Sequence, residues 1–367
     1  MDIIYVSYNS EKWIEKCFDS VLKSNFDLKT VSIVVVDNHS TDRSVDKLKE
    51  AKKKCEKELR SFEIVEADSN LGFGKANNLG VSKGSDEIVC FFNIDTEVYP
   101  DTLKNLDEDI RKSENEFALW ELRQFPYEHP KLYDAVTHET SWSSGAAFAM
   151  RREIFEKVHG FDEAIFMYAE DVDLSWRVRS FGYKLKYVPK ATITHYAYAK
   201  AGEVKPNQYV NSIINNLLLR YRFGGWGAIL KGYELFARAY LKGQPFEGSR
   251  KLLRKRFWKH FSQIPHFLNR SFCGDKRKEV ALFLGFDYAP IRDGAFYVNE
   301  FPKEYPLVSI IVRTCGRPAV LRETLISLRE QTYPNIEVVV VEDGKNTAGE
   351  MIEKEFSDMN ILYYATG

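Results

Sequence analysis

The sequence predicts an α/β fold: a mainly parallel sheet sandwiched by helices, followed by a helical segment and a partial second α/β unit. Three observations carry this expectation. Between residues 2 and 100, short β-branched runs alternate with helical stretches that have one polar face, which is the pattern of βαβ units. Between 205 and 300 the strand alternation gives way to long helical patterns, and from about 305 the βαβ pattern returns. The expected domains are therefore 1–204, 205–304 and 305–367, in keeping with a length of 367 residues.

The first strands are read at 3–6 (IIYV), 31–36 (VSIVVV), 62–67 (FEIVEA) and 87–94 (EIVCFFNI). In the helix after the first run, Trp13, Ile14, Cys17, Phe18, Val21 and Leu22 recur at three- and four-residue spacing, giving one apolar face to lay on the sheet. The last segment is read as a strand at 308–314, a helix from Val320 to about Gln331 and a strand at 336–344. This is an internal repeat: aligning Ser7-Tyr8-Asn9 with Thr314-Cys315-Gly316 also brings Val36-Asp37 onto Val341-Glu342 once a loop is shortened by two residues.

Composition limits the function. Apolar residues make up 44% and charged residues 29%, a globular balance, and the 52 basic and 53 acidic residues cancel, which argues against a nucleic-acid partner. Phe, Tyr and Trp are abundant (25, 20 and 6), and such rings line sites that stack bases or sugars as well as filling cores. Cys17, Cys55, Cys90, Cys273 and Cys315 form no CxxC pair, so a reducing compartment is expected and a structural zinc is not. The opening MDIIYVSYNS is unlike a signal peptide and no stretch is long enough to span a bilayer, so the expected location is cytoplasmic, at the inner face of the cell membrane if peripheral.

In parallel sheets ligands collect at the carboxyl ends of strands, so chemistry is sought in the loops there. Asp37, at the tip of the second strand, suits a base imide or ribose hydroxyl, or else an Asx-turn. The loop 70–80 (NLGFGKANNLG) has glycines that permit close backbone approach, and Lys75 suits a phosphate. Asn93 and Asp95 stand two apart at a strand end, so their side chains leave on one side, as a hard divalent cation bridging a diphosphate requires; the plain alternative is a turn. Glu170 and Asp171 begin a helix, where the dipole lowers a carboxyl pKa, whereas a catalytic base needs desolvation to raise it. His195 ends another β-like run and is either a satisfied structural histidine or a manganese ligand.

Taken in order, SYNS, VVVDNHSTD, NLGFGKANN, FFNIDTEV, WSSGAAFAMRRE, GFDE and EDVDLSWR resemble the glycosyltransferase family 2 enzymes of GT-A (Rossmann-like) fold, especially the rhamnosyltransferase-like branch, over residues 2–200. The resemblance implies an inverting, metal-dependent transfer from a dTDP- or UDP-linked sugar to a hydroxyl of a glycan or lipid-linked glycan in surface polysaccharide synthesis. It places Ser7, Tyr8, Asn9, Asp37, Asn70, Gly72, Lys75, Asn93 and Asp95 on the donor, and Trp142, Gly145 and Asp162 on the acceptor. Asp171 matches the base of the Glu-Asp motif with Glu170 beside it, Asp173 competes for that role, and Asp95, Asn93 and His195 are set to hold Mn2+ or Mg2+. Asn93 departs from the family by replacing the usual first acidic residue of its metal motif.

The second copy resembles the start of another family 2 domain with Glu342 at the strand end, and the sequence reads as a fragment of a longer two-domain chain. Within 250–259, six cations interleave with Leu252, Leu253, Phe257 and Trp258, fitting either a basic helix that contacts an anionic membrane or a solvated packed helix. Two rivals remain at this stage, a nucleotidyltransferase of the same fold and a non-catalytic nucleotide-sugar-binding module. A dinucleotide oxidoreductase is disfavoured because no GxGxxG follows the first strand.

Overall fold

The computed structural model describes residues 1–129, 131–198, 200, 203–242, 244–281, 283, 295–296, 304–331 and 333–367. The chain divides into two compact units, Met1–Tyr133 with Glu139–Tyr297, and Asp134–His138 with Val298–Gly367. The first unit runs β1 (Asp2–Ser7), α1 (Ile14–Leu22), β2 (Ser32–Asp37), α2 (Ser44–Cys55), β3 (Ser61–Glu66), α3 (Phe73–Val81), β4 (Ile88–Asn93), β5 (Thr96–Val98) and α4 (Thr102–Lys112). It continues with β6 (Phe117–Phe125), β7 (Tyr127–Glu128), β8 (Glu139–Thr140), β9 (Ala147–Arg151), α5 (Arg152–Lys157), α6 (Glu170–Ser180) and β10 (Lys184–His195). Helices α7 (Pro206–Phe223), α8 (Trp226–Leu241), α9 (Ser249–His260) and α10 (Ile264–Leu268) follow, and β11 (Ala295–Phe296) pairs with β7.

The main sheet has the order β3-β2-β1-β4-β9-β6-β10-β5, with β8 on β10. Its first four strands are parallel; β9 then runs antiparallel to both β4 and β6, and β10 runs parallel to β6. Alternation decides the faces: Ile3, Tyr5, Ile33, Val35, Cys90 and Phe92 enter one core, and Ile4, Val34, Val89 and Phe91 the other. Both cores are closed by helices, and each large side chain removed from water contributes about 1.5–3 kcal/mol.

In α1 the expected face is buried at Ile14, Cys17, Phe18 and Val21. Trp13 is the exception. It caps the helix and stacks on Tyr196 with ring centroids 4.9 Å apart, because its ring leaves towards the strand ends and not towards the sheet.

Of the segment read as a linking region, 205–304, the described helices α7 to α10 fall within the first unit. The reason is chemical as well as apolar. Leu218, Leu219 and Phe223 of α7 join Trp142, Val172 and Trp176 in one core, and Arg222 reaches two buried carboxylates of that unit. Residues 243, 282, 284–294 and 297–303 of that reading lie outside the described residues.

The second unit holds β12 (Val308–Thr314), α11 (Pro318–Arg329), β13 (Ile336–Glu342), α12 (Gly349–Glu355) and β14 (Ile361–Ala365) in a parallel sheet of order β12-β13-β14. Its register reproduces the repeat: Ser7 lies opposite Asp37 in the first copy, and Thr314 opposite Glu342 in the second. Glu342 is fully buried and accepts from the backbone N–H groups of Thr347 (3.0 Å) and Ala348 (3.2 Å) and from the Tyr363 hydroxyl. Among the described residues, no helix is long and apolar enough to cross a membrane.

Candidate functional site

Two adjoining cavities, about 280 and 260 Å³, open at the carboxyl ends of β1, β2 and β4. The first is bounded by Tyr8, Asn9, Trp13, Asn38, Asn70 and Asp95, and the second by Asp95, Gly145, Glu170, Asp171, His195 and Lys205. Asn93, Asp95, Phe73 and Met167 line both, so the strand-end pair stands at the junction.

Backbone pairing builds that junction. Asn93 donates its N–H to the Ala146 carbonyl at 2.9 Å, and the antiparallel pairing of β5 with β10 sets His195 opposite Thr96. His195 Nε2 consequently lies 3.5 Å from Asp95 Oδ1 and 3.4 Å from Asn93 Nδ2. Its Nδ1 is 2.9 Å from Gln124 Oε1, an acceptor, so Nδ1 donates there and Gln124 sets the ring with Nε2 facing Asp95. Burial pushes the Asp95 carboxyl up, but the hydrogen bond and charge of His195, with the charge of Lys205, outweigh it and hold the group below its ordinary value.

One carboxylate, one imidazole and one amide oxygen form a donor set that manganese accepts, and the Gln124 bond is the outer support a metal-bound histidine normally has. Among the described residues no cluster of three His, Cys, Asp or Glu side chains could hold a metal alone, so any cation here needs ligand oxygens from the substrate as well.

The loop before α6 faces the second cavity. Tyr168 and Ala169 both have positive φ, 69° and 70°, and Asn215 of α7 secures them by donating to the carbonyls of Met167 (3.2 Å) and Tyr168 (2.7 Å). Gly72 lets the donor-side loop meet this one. Its φ is 82°, and a Cβ there would collide with the Phe166 carbonyl oxygen, the group that accepts the Phe73 N–H at 2.9 Å.

The three acidic side chains at the head of α6 differ sharply. Asp171 accepts from the Gly145 N–H through Oδ2 at 2.8 Å and from the Val172 N–H through Oδ1 at 2.8 Å, on the cavity wall. Glu170 is buried, and burial, reinforced by the Asp171 charge, pushes its carboxyl well above the usual range; its Oε2 has no partner among the described residues. Asp173 is fully buried and held by Arg177 (2.7 Å) and Arg222 (2.5 Å), so geometry separates it from Asp171, which adjacency in the sequence could not do.

Of the residues singled out from sequence, Tyr8, Asn9, Asn70, Asn93, Asp95, Gly145, Glu170, Asp171 and His195 line these cavities. Ser7, Asp37, Gly72, Lys75, Trp142 and Asp162 do not. Ser7 and Asp37 are buried between β1 and β2; Asp37 Oδ2 accepts the Ser40 N–H at 3.0 Å, making the turn, while Oδ1 is buried without a partner among the described residues. Lys75 is half exposed and faces Glu163 at 3.4 Å. Trp142 is 1% exposed, in the core with Trp176, with Lys131 4.1 Å over its ring. Asp162 is 4% exposed and bound to Arg222 (2.5 Å) and His266 (2.8 Å), tying α7 and α10 to the loop before α6.

Asn38, Gln124 and Lys205 were missed. Asn38 accepts from the Leu71 N–H at 2.7 Å and donates to Asn70 and to the Gly72 carbonyl, organising the glycine loop. A polar residue next to Asp37 at a strand tip, and a glutamine near the end of the apolar run FALWELRQF, were the available signals; Lys205 had none.

The sheet order, its mixed second half and the cavities at the strand ends define the GT-A class of glycosyltransferase fold. The family model described as glycosyl transferase family 2 matches residues 2–174 and 309–366, more than half of the chain, and the chain belongs to that family. It is 26% identical over 233 residues to the rhamnosyltransferase WbbL of Escherichia coli, covering 53% of this chain and 83% of WbbL. It is 36% identical over 86 residues to the N-acetylglucosaminyl-diphospho-decaprenol L-rhamnosyltransferase of Mycobacterium tuberculosis, 23% of this chain and only 28% of that relative's length. Among solved structures, the mannosyltransferase PcManGT of Pyrobaculum calidifontis in complex with GDP-Man and Mn2+ matches with a TM-score of 0.51 at 18% identity, over 73% of this chain and 71% of that one. GalNAc-T7 with UDP, GalNAc and Mn2+ matches with a TM-score of 0.51 at 15% identity, over 72% and 57%.

Proposed function

We propose that the chain moves a sugar from a nucleoside diphosphate donor, dTDP- or UDP-linked, to a hydroxyl of a glycan or lipid-linked glycan by a single inverting displacement. The observation that carries this reading is the position of Asp95 at the junction of two cavities, with Asp171 on the wall of the second. The first cavity, with Tyr8, Asn9, Trp13 and Asn38, takes the nucleotide; the second takes the acceptor. Asp171 accepts the proton of the acceptor hydroxyl as that oxygen bonds to the anomeric carbon, and the bond from that carbon to the diphosphate oxygen breaks with its electron pair leaving on the diphosphate. The N–H groups of Gly145 and Val172 fix the carboxylate for this step. Glu170, whose carboxyl burial pushes well above the usual range, lies beside it on the cavity wall.

Asp95, Asn93 and His195, the last oriented by Gln124, would hold Mn2+ or Mg2+. Such an ion, when bound, supplies positive charge to the departing diphosphate. The names of the rhamnosyltransferase relatives support a deoxyhexosyl donor and a lipid diphosphate acceptor, hence a role in surface polysaccharide synthesis at the cytoplasmic face of a membrane. Contact with that membrane is assigned to α9. Leu253 is buried and Phe257 stacks on Phe236 at 4.3 Å, but Lys251, Arg254, Lys255 and Lys259 are exposed beside Leu252 and Trp258.

The test is nucleotide release from UDP-, dTDP- and GDP-sugars with lipid-linked acceptor, with and without manganese. Release from one donor should vanish in Asp171→Asn while donor binding persists, and Asp95→Ala should lose the response to metal. Near-normal turnover in Asp171→Asn moves the proton acceptor elsewhere, and donor binding without any turnover in the wild type favours a binding module.

A further inference from the structure

A departing diphosphate needs fixed positive charge, and the cavity walls are acidic at Asp95, Glu170 and Asp171. Lys75, the cation that the glycine loop offers, lines neither cavity and faces Glu163 on the surface. Among the described residues, the one lysine or arginine lining either cavity is Lys205. It shares the wall of the second cavity with Asn93 and Asp95, the strand-end pair. No ion pair to a carboxylate engages it among the described residues; its ammonium lies 5.1 Å from the ring centroid of Tyr198, whose hydroxyl donates to Gln208 at 2.6 Å. A bound diphosphate would bring this ammonium a direct anionic partner.

Position strengthens the case. Lys205 caps the 18-residue helix α7, with Pro206 in the first turn, so the positive end of that helix and the ammonium point to the same space; Gln208 and Ser212 line it too. The helix cannot drift, because Arg222 near its far end is anchored between Asp162 and Asp173, and Asn215 midway grips the strained loop at Met167 and Tyr168. One rigid element thus carries the cation and steadies the loop that presents Asp171.

We infer that Lys205 is the diphosphate-binding cation of this site. The inference rests on the transferase reading above. The shared chemistry is a diphosphate group, whose source is either the donor nucleotide or a lipid diphosphate acceptor.

Calorimetric titration of UDP, dTDP and GDP against the matching nucleosides distinguishes the outcomes, using wild type, Lys205→Gln, Lys205→Arg and Lys75→Gln, each checked for an unchanged Tm. If the donor is the source, Lys205→Gln weakens nucleoside diphosphate binding roughly tenfold or more. Bare nucleoside affinity stays constant, Lys205→Arg restores most of the loss, and Lys75→Gln has little effect. If the acceptor is the source, nucleotide binding is unchanged, while KM for a lipid diphosphate acceptor rises tenfold in Lys205→Gln with kcat preserved. Indifference of Lys205→Gln in both arms, with the wild type binding nucleotide, overturns the inference alone. A wild type that binds no nucleoside diphosphate and turns over no donor overturns the transferase reading and the inference with it.

Discussion

Replacing Arg222 by methionine tests the electrostatic frame of the site. Arg222, 2% exposed, lies 2.5 Å from Asp162 and 2.5 Å from Asp173, themselves 4% and 0% exposed. Arg177 remains for Asp173, and His266 for Asp162 when protonated. Methionine fills much of the same space, so the principal loss is the charge between two buried carboxylates, a defect that typically costs about 3–5 kcal/mol. At about 2–4 °C per kcal/mol for a domain of this size, Tm should fall by roughly 6–20 °C. All six tryptophans, Trp13, Trp120, Trp142, Trp176, Trp226 and Trp258, belong to the first unit, so fluorescence during urea or thermal unfolding follows that unit alone.

The pH dependence has a definite sign. In the wild type, burial raises the Asp162 carboxyl, but the Arg222 charge, then the Ala164 N–H and the bonds from His266 and Arg222, hold it below its ordinary value. A carboxyl depressed on folding stabilises the native state above its unfolded pKa, near 4, and gives up that contribution as pH falls through the folded value. Without Arg222 burial prevails, the folded pKa moves above the unfolded one, and protonation then favours the folded variant. The gap between variant and wild type should therefore be widest at pH 7.5 and narrow by pH 4.5. Adding Asp162→Asn and Asp173→Asn should recover at least half of the loss. A gap under about 1 kcal/mol at pH 7.5, or one that neither pH nor the added substitutions change, would refute the reasoning.

Gly72→Ala should cost about 1–3 kcal/mol and reduce turnover more than nucleoside binding, since a Cβ at φ 82° meets the Phe166 carbonyl and pushes apart the donor-side and base-bearing loops; unfolding and initial-rate measurements check it. Gln124→Leu should weaken manganese affinity by about 10–100-fold, read by metal titration in the presence of nucleoside diphosphate, because it frees the His195 ring that Gln124 now orients at 2.9 Å. Trp258→Ala with Lys255→Gln should abolish flotation on vesicles containing anionic lipid while leaving nucleotide binding intact; equal flotation on neutral vesicles would remove the membrane assignment.

The local pattern of apolar residues was enough to specify the layered sheet. Alternation at Ile3, Ile4 and Tyr5, and again at Ile33, Val34 and Val35, dictates two buried faces whatever lies further along the chain, because successive strand side chains must leave on opposite sides. The repeat was legible for the same reason, and the register of Ser7 with Asp37 and of Thr314 with Glu342 follows from it. Strand-end residues such as Asn93 and Asp95 could also be read, since a loop after a parallel strand opens at the ligand-bearing edge.

Only the tertiary structure decided how neighbouring acidic residues differ. Asp162, Glu170, Asp171 and Asp173 are alike in sequence, but Arg222, more than forty residues on, claims two of them, burial pushes a third well above the usual carboxyl range, and Asp171 stands on the cavity wall with its oxygens set by backbone N–H groups. Likewise Lys205 replaces Lys75 as the cavity cation, and Gln124 finds His195, through pairings between distant segments. A side chain's charge state and reach depend on what surrounds it in space, through desolvation and Coulomb terms that fall off over a few ångströms, and the linear order of residues does not specify those surroundings.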